Sequence, residues 1–413
     1  MPAKSPKNNR SRIKQLFETL CRDVLASIEA GEPMSPPSGP LTDSLAMRNG
    51  LCLHAAAARS FFANVDKAAE YANRDPFWSK QSIDNLFVKH LAAVVDDKQG
   101  DCDVRTESSK VLKALEAPPK TFNRKLSVFG FDAGMEGFEF GLMRLERETY
   151  TPPVDFGPLL RAGEPVEFLC AHISVLAIDE DSAAFRSEKL LQRHLAVLNA
   201  LFSTGVRSLT WLNHKRVDPY DISLTGQMSE SGEWAVGLGS SRVWLPVNRS
   251  DVNRFYELRA GSRISGLLRT EHEISDRIIT AFELAGNACV ERTDQTAFLL
   301  FAVALESAVL GPGKEGELAH QLAVRIAHLL CFGAAEKRET YRTMKRLYKV
   351  RSEIVHQGSQ EVTQADLEQI RLLCLKCLLT LCASPETRAF TRNEELEDWF
   401  LGKLLESRPG TQD

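Results

Sequence analysis

Arg351 and His356 stand five residues apart in YKVRSEIVHQG, the stretch from Tyr348 to Gly358. A guanidinium can hold two phosphate oxygens at once, and an imidazole titrates near neutral pH. Together they are equipment for acid/base work on a phosphate. The stretch reads as the end of an amphipathic helix, with His356 in the last turn before Gly358, where the helix dipole favours a charged imidazole. The segment leading into it, AAEKRETYRTMKRLYKVR over 334–351, holds seven basic residues (Lys337, Arg338, Arg342, Lys345, Arg346, Lys349 and Arg351) against two acidic ones. A charge run alone is most often a solvated helix face. Here it is a locally basic face in a chain of net charge -4, a balance that excludes a uniformly basic nucleic-acid binder.

Spacing alone does not single the pair out. Arg48 with His54, and Arg207 with His214, also set an Arg a few residues ahead of a His, and neither lies at the end of a basic helix. The second piece of context is Glu306, the one charge in AFLLFAVALESAVL (297–310). A buried carboxylate is costly unless paired. An Arg on a neighbouring helix would satisfy it, and Glu306 is expected to orient Arg351.

Other chemistries lack their signatures. There is no GK[ST] phosphate loop, no Gly-rich dinucleotide fingerprint, no GxSxG and no HExxH. Cys374 and Cys377 form a C-x-x-C inside LLCLKCLLTLC with no second pair at zinc spacing, which reads as core packing. His194 lies on the apolar face of its helix and reads as a core histidine. GLGSS at 237–241 reads as a turn.

The elements that must position Arg351 and His356 follow from periodicity. At 413 residues the chain is expected to hold two to three domains, with 43% apolar and 26% charged residues in the ordinary globular range. Residues 1–41 read as a flexible N-terminus with one helix at 11–30 and the Pro-rich linker GEPMSPPSGP, and 42–119 as a helical region interrupted at Asp75-Pro76. Residues 120–255 read as a mixed α+β domain, with KLSVFGF (125–131) and GFEFGLMRL (137–145) paired as a hairpin around DAGMEG. Within it a strand at 164–179 and a helix at 181–205 are followed by strands at 208–213 and 233–247. Helices are expected at 266–290, 294–310, 315–331, 335–357, 363–383 and 392–406, a bundle over 264–407, with Thr363 and Asp366 capping the fifth. The fold class is therefore α+β and predominantly helical. The longest apolar run is broken by Glu306, so no transmembrane helix is expected. Nine irregularly spaced cysteines and an N-terminus without a secretory pattern suggest a cytoplasmic protein with reduced thiols.

The C-terminal third, about 264–400, resembles an Apea-type HEPN domain, a helical bundle whose signature is an Arg, four to six intervening residues and a His. The resemblance is carried by ALES (304–307) on an apolar helix and by LYKVRSEIVHQG (347–358). Ser352 stands after the Arg, where many such families have Asn, Asp or His. The resemblance implies a metal-independent endoribonuclease without a cofactor, often a toxin or antiviral effector. It also implies a homodimer, formed through the bundle, that brings two Arg-His sets into one cleft. On this reading His356 transfers protons, Arg351 binds phosphate, Ser352 adds a hydrogen bond, Glu306 supports Arg351, and Arg342, Lys345, Arg346 and Lys349 guide RNA. The 120–255 segment is a candidate sensor of a phage-derived or stress activator, and no membrane partner is expected. Arg351 and His356 in regular helix lie about 140° apart, which is why a dimer belongs to the expectation. The competing expectation is a HEPN-like bundle that binds or dimerises without chemistry.

Overall fold

The computed structural model describes residues 6–29, 44–46, 52–72, 77–96, 103–128, 130–151, 165–203, 222–228, 234–240, 246–257, 259–291, 293–310, 318–357 and 361–406. The protein is α+β and predominantly helical. It divides into two compact units, one formed by 1–124 with 174–188 and the other by 125–173 with 189–413. These boundaries cut across the segments expected from the sequence, since 120–255 contributes to both units.

In the first unit, α1 (Pro6–Glu29) starts earlier than expected, with proline in its first turn, where no hydrogen bond is lost. It is part of a core and not of a flexible tail: Ile13, Phe17, Leu20 and Val24 recur at helical spacing and are all buried. The linker at 31–40 lies outside the described residues. A short antiparallel pair, β1 (Ser44–Ala46) and β2 (Cys52–His54), appears where only helix was expected. Then come α2 (Ala55–Ala72), α3 (Lys80–Asp96) and α4 (Val104–Leu115). Phe61, Val65, Phe87, Leu91, Val111 and Leu115 complete the core. Glu107 is buried and is satisfied by His90 Nδ1 at 2.6 Å and by Lys110.

The four-stranded sheet comprises β3 (Lys120–Ser127), β4 (Glu139–Phe140), β5 (Met143–Tyr150) and β6 (Val166–Ala177), in the order β3-β6-β5-β4. This corrects the expected hairpin. The segment 137–145 folds back on itself as β4 and β5, whereas β3 lies beside β6, and DAGMEG forms a 3-10 turn. The two-residue turn at Gly141 and Leu142 is possible because Gly141 takes φ +58°. Alternating residues identified the strands but could not say which edge each would join.

The turn is held by side chains within the second unit. Helix α5 (Glu180–Phe202) presents His194, whose Nε2 accepts from the Leu142 N–H at 3.0 Å while Nδ1 donates to the Leu190 carbonyl at 2.7 Å. The Gly141 N–H donates to Ser265 Oγ at 2.9 Å, and Arg269 Nε donates to the Gly141 carbonyl at 2.7 Å. His194 is therefore a satisfied core histidine, and burial pushes its pKa down to about 4.

A further antiparallel pair joins β7 (Ile222–Met228) to β8 (Trp234–Ser240). Gly237 to Ser240 of GLGSS lie inside β8 and not in a turn. The strand expected at 208–213 lies outside the described residues. Helices follow: α6 (Arg249–Glu257), α7 (Arg259–Leu267), α8 (Glu273–Val290), α9 (Asp294–Val309), α10 (Leu318–Leu330), α11 (Ala334–Gln357), α12 (Gln364–Ala383) and α13 (Asn393–Glu406). The helix expected at 266–290 starts later, because α7 ends at Leu267, whose carbonyl takes the Thr270 hydroxyl at 3.1 Å, and α8 opens only at Glu273. Thr363 caps α12, accepting the Asp366 N–H at 3.1 Å and donating to its carboxylate at 2.8 Å.

Helix α9 runs through the middle of this bundle against α8 and α12, burying Phe298, Phe301 and Leu305. Cys374 and Cys377 lie in the same core, and burial raises both thiols well above their ordinary range. At Gly286 of α8 a Cβ would meet the Ala196 carbonyl of α5 at 1.7 Å, so glycine sets how closely these helices approach. Among the described residues no helix is long and apolar enough to cross a membrane.

Candidate functional site

Glu306 lies in the last turn of α9 and Arg351 in the C-terminal half of α11. The structure brings them together: Arg351 Nε is 3.3 Å from Glu306 Oε1, with the side chains 25% and 20% exposed. The two atoms are not aligned as a hydrogen bond, so the link is ionic. Tyr348, three residues before Arg351 and on an adjacent helical position, completes the group. The Arg351 guanidinium lies 5.6 Å from the centre of its ring. Burial, then the Glu306 charge nearby, hold the Tyr348 phenol pKa above its ordinary value. Sequence reasoning passed over Tyr348, although its i, i+3 spacing to Arg351 was the available signal.

The end of α9 that carries Glu306 is fixed by a buried network that the sequence did not reveal. Arg277 of α8 donates Nε to the Ser307 carbonyl at 2.9 Å, and Arg325 of α10 donates Nη1 to the Val309 carbonyl at 2.8 Å. Two cations thus answer the unpaired carbonyls at a helix C-terminus. Glu397 of α13 holds both in place, 2.7 Å from Arg325 Nη2 and 3.4 Å from Arg277 Nη2. Arg325 also lies over the Phe400 ring at 5.1 Å. The backbone beside Glu306 is therefore anchored on three helices.

His356 is exposed in the last turn of α11, and among the described residues it has no hydrogen-bond partner. Because α11 is helical through Gln357, His356 is turned about 140° from Arg351 and displaced along the axis by roughly 7.5 Å. Within one chain the two face different ways. Ser352 is half-buried. Arg342 and Lys345 are exposed, with no acidic partner among the described residues. Lys349 is exposed and loosely paired with Glu353 at 3.7 Å. Arg346 stands apart, since Asp366 and Gln369 of α12 already engage its guanidinium, and that ion pair helps hold the Asp366 carboxyl below its usual range. Arg346 thus adds less uncompensated charge to the surface than its neighbours.

One further group has metal-ligand chemistry. Glu146 and Glu148 of β5 and His172 of β6 place their ligand atoms within 4.8 Å of one another. His172 lies between the two carboxylates, 3.2 Å from each, and Lys125 Nζ is 2.6 Å from Glu148. Lys125 thus supplies a cation beside the carboxylates, and the arrangement is a ladder of charges across three strands.

Comparison of the chain with protein-family models, with curated proteins and with solved structures gave no match.

Proposed function

We propose that the C-terminal bundle is a HEPN-type domain and that the protein is a metal-independent endoribonuclease acting as a toxin or antiviral effector in the cytoplasm. The observation that carries this reading is the Arg351 guanidinium, held ionically by Glu306 and flanked by Tyr348, on the same helix as an exposed imidazole at His356. In cleavage by the RNA's own 2′-hydroxyl, a proton leaves the attacking oxygen, another reaches the departing 5′-oxygen, and charge accumulates on the phosphorane. His356 moves the protons, Arg351 holds the phosphate oxygens and Ser352 adds a hydrogen bond. Since the two principal groups diverge by about 140° in one chain, the complete site is built from two copies, with Arg351 of one protomer completing the site at His356 of its partner.

The test is incubation of single-stranded RNA with the full chain in EDTA, comparing wild type with His356→Ala and Arg351→Ala. Cleavage by wild type alone, leaving 2′,3′-cyclic phosphate ends, is the expected result. The same divergence of Arg351 and His356 favours a second reading, a bundle that binds or dimerises without chemistry. Equal inactivity of all three proteins, with and without an activating phage infection, is the result that reading requires.

A further inference from the structure

Helix α11 carries its exposed cations in a pattern the sequence run does not make obvious. At about 100° per residue, Arg342, Lys345, Lys349 and His356 fall within an arc of about 60° around the direction of Arg338. All five are exposed. His356 lies eighteen residues, five full turns, beyond Arg338, so it shares this face, while Arg351 and its Glu306 partner point elsewhere. Successive cations are separated along the axis by roughly 6, 4.5 and 6 Å, and the stripe runs roughly 27 Å from Arg338 to His356. Among the described residues, Arg338, Arg342 and Lys345 have no acidic partner, and the nearest acid on this face, Glu353, is paired with Lys349 at 3.7 Å. Tyr341 borders the stripe beside Arg342, its ring edge-on to His320 at 5.7 Å and its hydroxyl 3.1 Å from His320 Nδ1.

We propose that this face of α11 is a binding track for the phosphodiester backbone of a single-stranded nucleic acid, running from Arg338 through Arg342, Lys345 and Lys349 and ending at His356. The spacing of the cations is on the scale at which an extended single strand repeats its phosphates, and four charges in line suit a polyanion. Tyr341 favours a nucleic acid over an acidic polypeptide, because an aromatic ring at the border of a cationic stripe can stack on a base. The meeting of the track with His356 rests on the ribonuclease reading above; the track itself does not. It also assigns the two parts of the signature different positions, His356 on the path of the strand and Arg351 beside it.

Binding is measured in the full-length His356→Ala protein, which removes cleavage from the readout, by fluorescence anisotropy of a labelled twenty-nucleotide oligouridine over a series of KCl concentrations. Substituting Arg342→Gln with Lys345→Gln is expected to weaken binding about tenfold at low salt and to lower the slope of log affinity against log salt by about 1.4, two phosphates' worth. Lys376→Gln, at an exposed position on α12, is expected to change neither. Far-ultraviolet circular dichroism checks that each variant is folded. An unchanged slope in the double variant, or an equal loss in Lys376→Gln, overturns the track, as does displacement by polyglutamate as effective as by polyuridine. An oligothymidine arm separates RNA from DNA: preference for uridine supports an RNA path, and equal binding supports a track for either strand. A steep, stripe-dependent salt slope in a protein that never cleaves RNA leaves the track standing and removes the ribonuclease. Cleavage by His356-intact protein that is indifferent to the stripe does the reverse.

Discussion

Arg325 reaches Glu397 at 2.7 Å with one guanidinium nitrogen and the Val309 carbonyl at 2.8 Å with another. Glu397 also faces Arg277, which bonds the Ser307 carbonyl, so one carboxylate secures both clamps on the end of α9. Removing one member of a buried ionic group leaves its partners uncompensated, at about 3–5 kcal/mol. Glu397→Ala is expected to lose stability of that order in urea denaturation, and Glu397→Gln, which keeps the side-chain volume and one accepting oxygen for one of the two guanidiniums, less.

Glu306 and Arg351 are less deeply buried, and their link is ionic without hydrogen-bond alignment. A double-mutant cycle with Glu306→Gln and Arg351→Gln is expected to give a coupling of about 1 kcal/mol in chemical denaturation. A coupling indistinguishable from zero would mean that the carboxylate does not hold the guanidinium.

The neutral His194 makes stability depend on pH. Its folded pKa of about 4 lies below the ordinary 6.5, so in that window the unfolded chain binds a proton that the folded chain does not. Its contribution is intact above pH 6.5 and is lost as pH falls toward 4, reaching about 2 kcal/mol at pH 5. Comparing urea midpoints at pH 7 and 5 for wild type and His194→Gln checks this, the variant being less stable at pH 7 but with a smaller pH difference.

Two glycines are set by close approach. Gly286→Ala would put a methyl group 1.7 Å from the Ala196 carbonyl, and Gly141→Ala would put one 2.4 Å from His194 Nε2 at a positive φ. Each is expected to cost about 1–3 kcal/mol or more, read as a fall in Tm. Gly266→Ala, where nothing lies within 4 Å of the new carbon, is expected to be close to neutral.

What the sequence disclosed follows the range of each interaction. Helices α5, α9, α11 and α12 were legible because long apolar periods and capping residues such as Thr363 are local. The nearness of Glu306 to Arg351 was legible because a lone carboxylate in an apolar helix demands a cation. The place of β3 beside β6 was not, since alternation says nothing about partners far along the chain. Nor was the cluster of Arg277, Arg325 and Glu397, three ordinary charges on three helices that only packing brings together. The direction of His356 relative to Arg351 could be counted from the sequence, yet its alignment with Arg338, Arg342 and Lys345 emerges only when the basic run is separated into exposed, paired and inward-facing residues.

The chain leaves the first unit at residue 124, returns for 174–188 and leaves again. No single cut can therefore release either unit as one continuous polypeptide. On a ribosome the first unit cannot be completed until its last piece has emerged, by which time β4, β5 and the whole of β6 have already been made. Deleting the middle of the chain to probe a sensor would likewise take Ser174 to Glu188 from the first unit. A circular permutation, or point substitutions on the sheet, would be the cleaner way to test it.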